Sequence, residues 1–148
     1  MDFPLYSDEY FMSEALREAQ KAYDEDEVPV GAVIVSNNTI IARSHNLTET
    51  LTDVTAHAEI LAITSAENYL GSKYLDECTL YVTLEPCLMC AAATKWAQLG
   101  RLVIGAMDPG AGYSLTGGEV LHPSTVVKKG LLREVSEELL KIFFKAKR

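Results

Sequence analysis

Positive charge is scarce in this sequence. Thirteen Lys and Arg face 21 Asp and Glu, a net charge of −8, which on its face argues against a nucleic-acid partner. Cysteine is scarcer still, at three residues in 148, too few for the disulfide framework of a small secreted protein. No stretch approaches the roughly 20 consecutive apolar residues of a membrane span. Met1 to Glu9 is acidic and lacks an apolar run, so no secretory leader is expected. Internal repeats and low-complexity tracts are likewise lacking. The apolar fraction of 48% and charged fraction of 23% are ordinary, which excludes a disordered chain. They predict one domain over residues 1–148, long enough to bury about two thirds of its unfolded surface. Free thiols, two of them in a C-x-x-C, place that domain in the cytoplasm.

The shortage of cations is uneven. Residues 1–60 hold 12 acids and 3 Lys/Arg, residues 61–127 hold 6 and 3, and residues 128–148 hold 3 and 7. The C-terminal stretch is therefore net basic on an otherwise acidic body. Its cations suit the dipole of a final helix, and K-I-F-F-K-A-K-R also reads as a phosphate-contacting end.

What the sequence does have is chemistry concentrated in two short segments, T-A-H-A-E at 55–59 and E-P-C-L-M-C at 85–90. Catalytic zinc usually takes three nitrogen or sulfur ligands from protein and leaves a fourth position to water. His57, Cys87 and Cys90 supply that count, and Glu59 is left over as a base that need not touch the metal. One Zn²⁺ per chain is expected. Cys87 and Cys90 are three apart at a predicted helix start, where partial positive charge favours thiolate. A closed structural site would need a fourth ligand. Cys78 lies a strand of about 20 Å away, at about 3.3 Å per residue, and reads as a core thiol; His45 and His122 are the other candidates. One difficulty is geometric: residues two apart on a helix lie roughly 200° apart, so His57 and Glu59 share a face only if the metal sits off the helix end.

Hydrophobic periodicity and turn residues place these segments. Ser7 is expected to cap a helix to about Asp24. Val30–Ser36 and Thr39–Ser44 flank Asn37-Asn38, a hairpin turn. Thr55 is expected to cap a helix from Ala56 to about Tyr69, ended by Gly71. Cys78–Leu84 reads as a strand, Pro86 opens a helix to about Leu99 stopped by Gly100, and Leu102–Ala106 is a buried strand. Met107 to about Ser124 is Gly-rich and irregular, Val126–Lys129 a short strand, and Leu131–Lys147 the last helix. The order predicts an α/β fold, a three-layer α/β/α sandwich around one central mixed sheet.

The ordered combination H-x-E then P-C-x-x-C is an established signature of zinc deaminases. The chain resembles the zinc-dependent cytidine and adenosine deaminases, most closely the bacterial tRNA-specific adenosine deaminases. The likeness rests on V-P-V-G-A-V-I-V at 28–35, H-N at 45–46, D-V-T-A-H-A-E-I at 53–60, L-Y-V-T-L-E-P-C-L-M-C at 80–90, G-R-L-V-I-G-A-M-D-P at 100–109, L-H-P at 121–123 and the F-F-K-A-K-R end. The resemblance implies a cytidine deaminase-like fold and hydrolysis of the wobble adenosine of a tRNA anticodon to inosine, with Glu59 as proton shuttle. It further implies that Asn46 bonds the base edge, that Val30, Ala58, Leu84 and Pro86 line its pocket, and that the enzyme is a homodimer with Met89 and Trp96 at the interface.

Two departures stand out. Val54 replaces the usual Pro, and Gly110 to Gly118 replaces a Lys followed by small residues. No Lys or Arg lies between Arg101 and Lys128, so RNA phosphates are expected to meet Lys128, Lys129, Lys141, Lys145, Lys147 and Arg148, with Lys73 or Lys95 from a partner subunit. The alternative is a deaminase of a free nucleobase or nucleoside, guanine or cytosine in type; a third reading, a non-catalytic zinc fold, gives Glu59 nothing to do.

Overall fold

A computed structural model describes residues 2–147. Its elements run α1 (Asp8–Asp24), β1 (Gly31–Ser36), β2 (Thr39–His45), α2 (Ala58–Leu70), β3 (Thr79–Leu84), α3 (Leu88–Trp96), β4 (Arg101–Ala106), β5 (Val126–Lys128) and α4 (Arg133–Ala146), with a 3₁₀ turn at Tyr113–Thr116. One sheet has the order β2-β1-β3-β4-β5. β1 pairs antiparallel with β2 and β3, while β3–β4 and β4–β5 are parallel. The sheet is mixed, as expected.

Strand side chains alternate between faces, and the two cores follow that alternation. Ala32, Ile34, Leu80, Val82, Leu102 and Ile104 pack with Ala58, Ala62 and Ala66 of α2 and Ala91 of α3. Val33, Val35, Tyr81 and Val103 pack with Phe11, Met12, Ala15 and Leu16 of α1. Helix α4 lies on the α1 side, meeting both β4 and α1. The result is the three-layer sandwich that the sequence predicts.

Local signals hold where the chain obeys them. Ser7 Oγ accepts from the Tyr10 N–H at the start of α1, and Gly71 ends α2 at φ 64°. Asn37 and Asn38 take φ of 53° and 59°, the two positive values a tight hairpin requires. Gly31 serves close approach instead: a Cβ there would lie 2.0 Å from the Ala15 carbonyl oxygen of α1.

Helices α2 and α3 are shorter than expected. Helix α2 begins at Ala58 with His57, not Thr55, at its cap. Thr55 is diverted, its N–H and hydroxyl both donating to Asp53 Oδ1 at 2.8 and 2.7 Å, a local turn that competes with capping. Helix α3 starts at Leu88, because Cys87 remains extended, and stops at Trp96. Gln98 turns the chain at φ 55°, and Gly100 serves space, since a Cβ would sit 2.3 Å from the Asp76 carbonyl oxygen.

Asp8 ties α1 to the sheet. Its carboxylate accepts two bonds from Arg101, one from the Tyr81 hydroxyl and one from Lys128. Arg101 chiefly, with Tyr81 and Lys128, holds this carboxyl well below the usual range against the opposing effect of burial. Its stabilising effect is therefore complete above the unfolded value near 3.9 and fades as pH falls below it. Asp8→Ala should cost about 2–3 kcal/mol, lowering the thermal midpoint by roughly 4–12 °C at pH 7. The difference from wild type should shrink when scans are repeated at pH 3.

Candidate active site

His57 is the cap of α2 and Cys87 the cap of α3, both with extended backbone. Cys90 follows in the first turn of α3. This resolves the spacing difficulty: with His57 at φ −74° and ψ 151°, the 200° rule for a continuous helix does not apply to His57 and Glu59. Two helix N-termini, each with free N–H groups and partial positive charge, converge beyond the carboxyl end of the parallel pair β3–β4, the usual place for ligands in such sheets.

His57 Nδ1 lies 3.6 Å from Cys87 Sγ and 3.4 Å from Cys90 Sγ. Zinc bonds of about 2.0–2.1 Å to nitrogen and 2.3 Å to sulfur set a tetrahedral N–S edge of about 3.6 Å. The three atoms thus already stand at the spacing a tetrahedral zinc requires. They form a cluster in which all ligand atoms lie within 4.8 Å of one another, the one such group among the described residues. Zinc is the cofactor.

The proposed fourth ligands are elsewhere engaged. His45 Nδ1 lies 3.3 Å from Glu18 and its Nε2 lies 2.7 Å from Glu25, His122 pairs with Ser124, and Cys78 is buried in the core. Without metal, the Cys90 thiol beside it and the helix N–H groups hold Cys87 down to about 5, while Cys90 is pushed up by sharing its proton with Cys87 and by burial. Bound zinc would be held by both as thiolates, and its binding would release the shared proton.

Glu59 is 4% exposed and lines the same cavity as His57 and Cys87. Burial pushes its carboxyl up to about 7, where it exchanges protons readily at neutral pH. The cavity holds about 240 Å³, smaller than the roughly 300–1,000 Å³ of drug-sized sites and suited to one base. Asn46, Val30, Ala58 and Leu84 line it together with Val28, Thr48, Glu85, Asp108 and Ala111. Pro86 is not among these residues; it is buried, and its carbonyl accepts the Tyr113 N–H.

None of the basic C-terminal residues lines the cavity itself, although Lys147 shares an adjoining hollow with Val28 and Thr48 of its wall. Lys128 pairs with Asp8 at 3.2 Å, and Lys147 pairs with Asp26 and lies over the Phe143 ring. Lys129, Lys141 and Lys145 are exposed, and Arg148 lies outside the described residues.

Glu27 escapes sequence reasoning. It sits in the acidic run 24–27 that ends the first helix, and it is 0% exposed. Its carboxylate accepts from the Glu49 and Thr50 N–H groups at 3.1 and 2.6 Å and from the Thr50 hydroxyl at 2.7 Å, with longer 3.5 Å contacts to Asn46 Nδ2 and Thr48. Burial alone would raise its pKa, but these donors outweigh it and hold the group below its usual value. Glu27 thereby fixes the loop that carries Asn46. Glu27→Ala leaves buried N–H groups unpaired and should cost about 2–4 kcal/mol, measured by denaturant melts, with zinc content unchanged.

The fold, a three-ligand zinc cluster and a buried carboxylate beside it define a zinc-dependent hydrolytic deaminase. Residues 5–106 match the cytidine and deoxycytidylate deaminase zinc-binding region, and the chain belongs to that family. A tRNA-specific adenosine deaminase of Agrobacterium fabrum is 47% identical over 94% of this chain and 95% of its own. A solved structure from studies of A-to-I editing by tRNA:A34 deaminases at the wobble position of transfer RNA is 46% identical. It superimposes with a TM-score of 0.83, covering 88% of this chain and 99% of that one. A guanine deaminase from Nitrosomonas europaea is 25% identical with a TM-score of 0.80, covering 93% and 84%.

Proposed function

We propose that this chain hydrolyses the wobble adenosine of a tRNA anticodon to inosine. The observation that carries this reading is the near-complete, 47% identical match to a tRNA-specific adenosine deaminase on a chain whose zinc ligands and Glu59 stand together. Zinc on His57, Cys87 and Cys90 supplies the Lewis acidity that makes water nucleophilic near neutral pH. The remaining work belongs to the chain. The target base leaves its stack and enters the cavity, where Val30, Ala58 and Leu84 pack against it and Asn46 bonds its edge. Glu59 accepts a proton from the attacking water and passes it to a ring nitrogen. The water oxygen becomes the C6 carbonyl, and the amino group leaves as ammonia with the second proton.

Lys129, Lys141 and Lys145 would meet phosphate, joined by Lys128 and Lys147 once RNA competes with their acidic partners. Exposed Leu88, Met89 and Trp96 on α3, the last 82% exposed, support a homodimer through that face, with Lys73 or Lys95 of the second copy near the RNA. Three free cysteines and the absence, among the described residues, of a helix long and apolar enough to cross a membrane suit the cytoplasm.

The cation-free stretch before Lys128 and the guanine deaminase likeness favour a second reading, deamination of a free base. Zinc-loaded protein should convert A to I at the anticodon of an arginine tRNA reading ACG, seen by sequencing, with a rate that falls steeply with salt. Ammonia release from free guanine, insensitive to salt and without inosine in RNA, would replace the first reading by the second.

A further inference from the structure

The Gly-rich stretch between β4 and β5 has little side chain with which to hold itself. Gly110, Gly112, Gly117 and Gly118 give it large conformational entropy to lose, yet Asp108 and Ala111 form part of the cavity wall. Its rigidity must come from backbone hydrogen bonds, and these can be followed one by one. The Gly110 and Ala111 N–H groups donate to Asp108 Oδ1, and Gly112 N–H donates to the Asp108 carbonyl. Tyr113 N–H donates to the Pro86 carbonyl at 2.9 Å.

The two ends of the segment go to a single group. Asp108 N–H donates to Glu85 Oε1 and Ser114 N–H donates to Glu85 Oε2, each at 3.0 Å. Glu85 is 3% exposed, and no Lys, Arg or His forms an ion pair with it among the described residues. Its oxygens are spent on the loop. Gly112 is the residue that lets the loop come so near. Its φ of −63° suits any residue, but a Cβ there would lie 2.0 Å from Glu85 Oε1 and 2.7 Å from the Asp108 carbonyl oxygen. Gly112 also bridges to Cys87, so the loop is registered against the cap of α3, which is itself a metal ligand.

We propose that Glu85 is a positioning residue whose carboxylate staples residues 108 and 114 together, setting the Asp108–Ala111 wall against which the target base is held. This rests on the RNA deaminase reading for its substrate, but the staple itself does not. A buried carboxylate that only filled space would not need both oxygens on the two ends of one loop. Glu85→Gln keeps the volume and turns one acceptor into a donor facing an N–H. Gly112→Ala leaves the carboxylate intact and pushes the loop away from it.

The test compares wild type, Glu85→Gln and Gly112→Ala, each zinc-loaded, by amide hydrogen exchange, zinc content and steady-state kinetics on an anticodon stem-loop RNA. Exchange at Asp108 or Ser114 should quicken about tenfold or more in both variants, the size expected when a hydrogen bond to a charged group is lost. KM should rise about tenfold with kcat within roughly threefold and one zinc retained, because remote positioning is weakened while the reacting groups stay in place. In a Glu85→Ala background, Gly112→Ala should cost less than it does alone, since its principal clash has gone. Unchanged exchange at both amides, equal losses in kcat with KM constant, or loss of zinc would overturn the proposal. Should Glu85→Gln fail to fold, Gly112→Ala decides by the same readings. A wild type that leaves the stem-loop untouched would defeat the substrate reading instead, while the exchange data still judge the staple.

Discussion

Glu59→Gln leaves one zinc per chain in place and lowers turnover by a factor of about 10²–10⁴, the range that general acid–base catalysis contributes. The substitution keeps the side chain's length and its buried site but removes the ability to take a proton. The three ligand atoms are those of His57, Cys87 and Cys90; Glu59 stands beside them in the first turn of α2 and meets the Cys90 thiol, a contact that the Gln amide can keep. KM should change little, because the residue acts on the proton and not on the bulk of the substrate. Single-turnover kinetics with metal analysis on the same sample would check this. Activity within threefold of wild type would remove Glu59 from its assigned role, and a parallel loss of zinc would make it a ligand.

The second large effect comes from the metal side. Cys90→Ala removes a fully buried ligand and should abolish stoichiometric zinc and, with it, more than about 10³-fold of activity. The fold should survive. The two cores on either face of the sheet are built from aliphatic and aromatic side chains that do not include the ligands, so circular dichroism should stay near that of wild type. The thermal midpoint should fall by the amount the bound metal contributes through linkage, and added zinc should no longer raise it. Retained zinc at one per chain would mean that another group closes the site.

Much of this was open to reading before any coordinates. The metal set is legible because its ligands fall at two helix starts, Cys87 and Cys90 by local spacing, and the central strands are legible because each is a nearly continuous buried run bounded by turn residues. What escaped was long-range or decided by competition. Thr55 looks like a helix cap until Asp53 captures it. Glu27 and Glu85 look like ordinary acids, since their partners at Thr50 and Ser114 stand 23 and 29 residues away. Lys128 and Lys147 look free in a basic tail, but Asp8 and Asp26 meet them across 120 and 121 residues. The common cause is that burial and pairing belong to the folded chain, whereas charge and spacing are already visible in the unfolded one.

X-ray absorption at the zinc edge of the purified protein tests the central claim most directly. The expected spectrum has one zinc per chain with two sulfurs near 2.3 Å and two lighter atoms near 2.0–2.1 Å, one of them an imidazole nitrogen and the other exchangeable solvent. Four protein donors, or a zinc-free protein with Cys87 joined to Cys90, would contradict it.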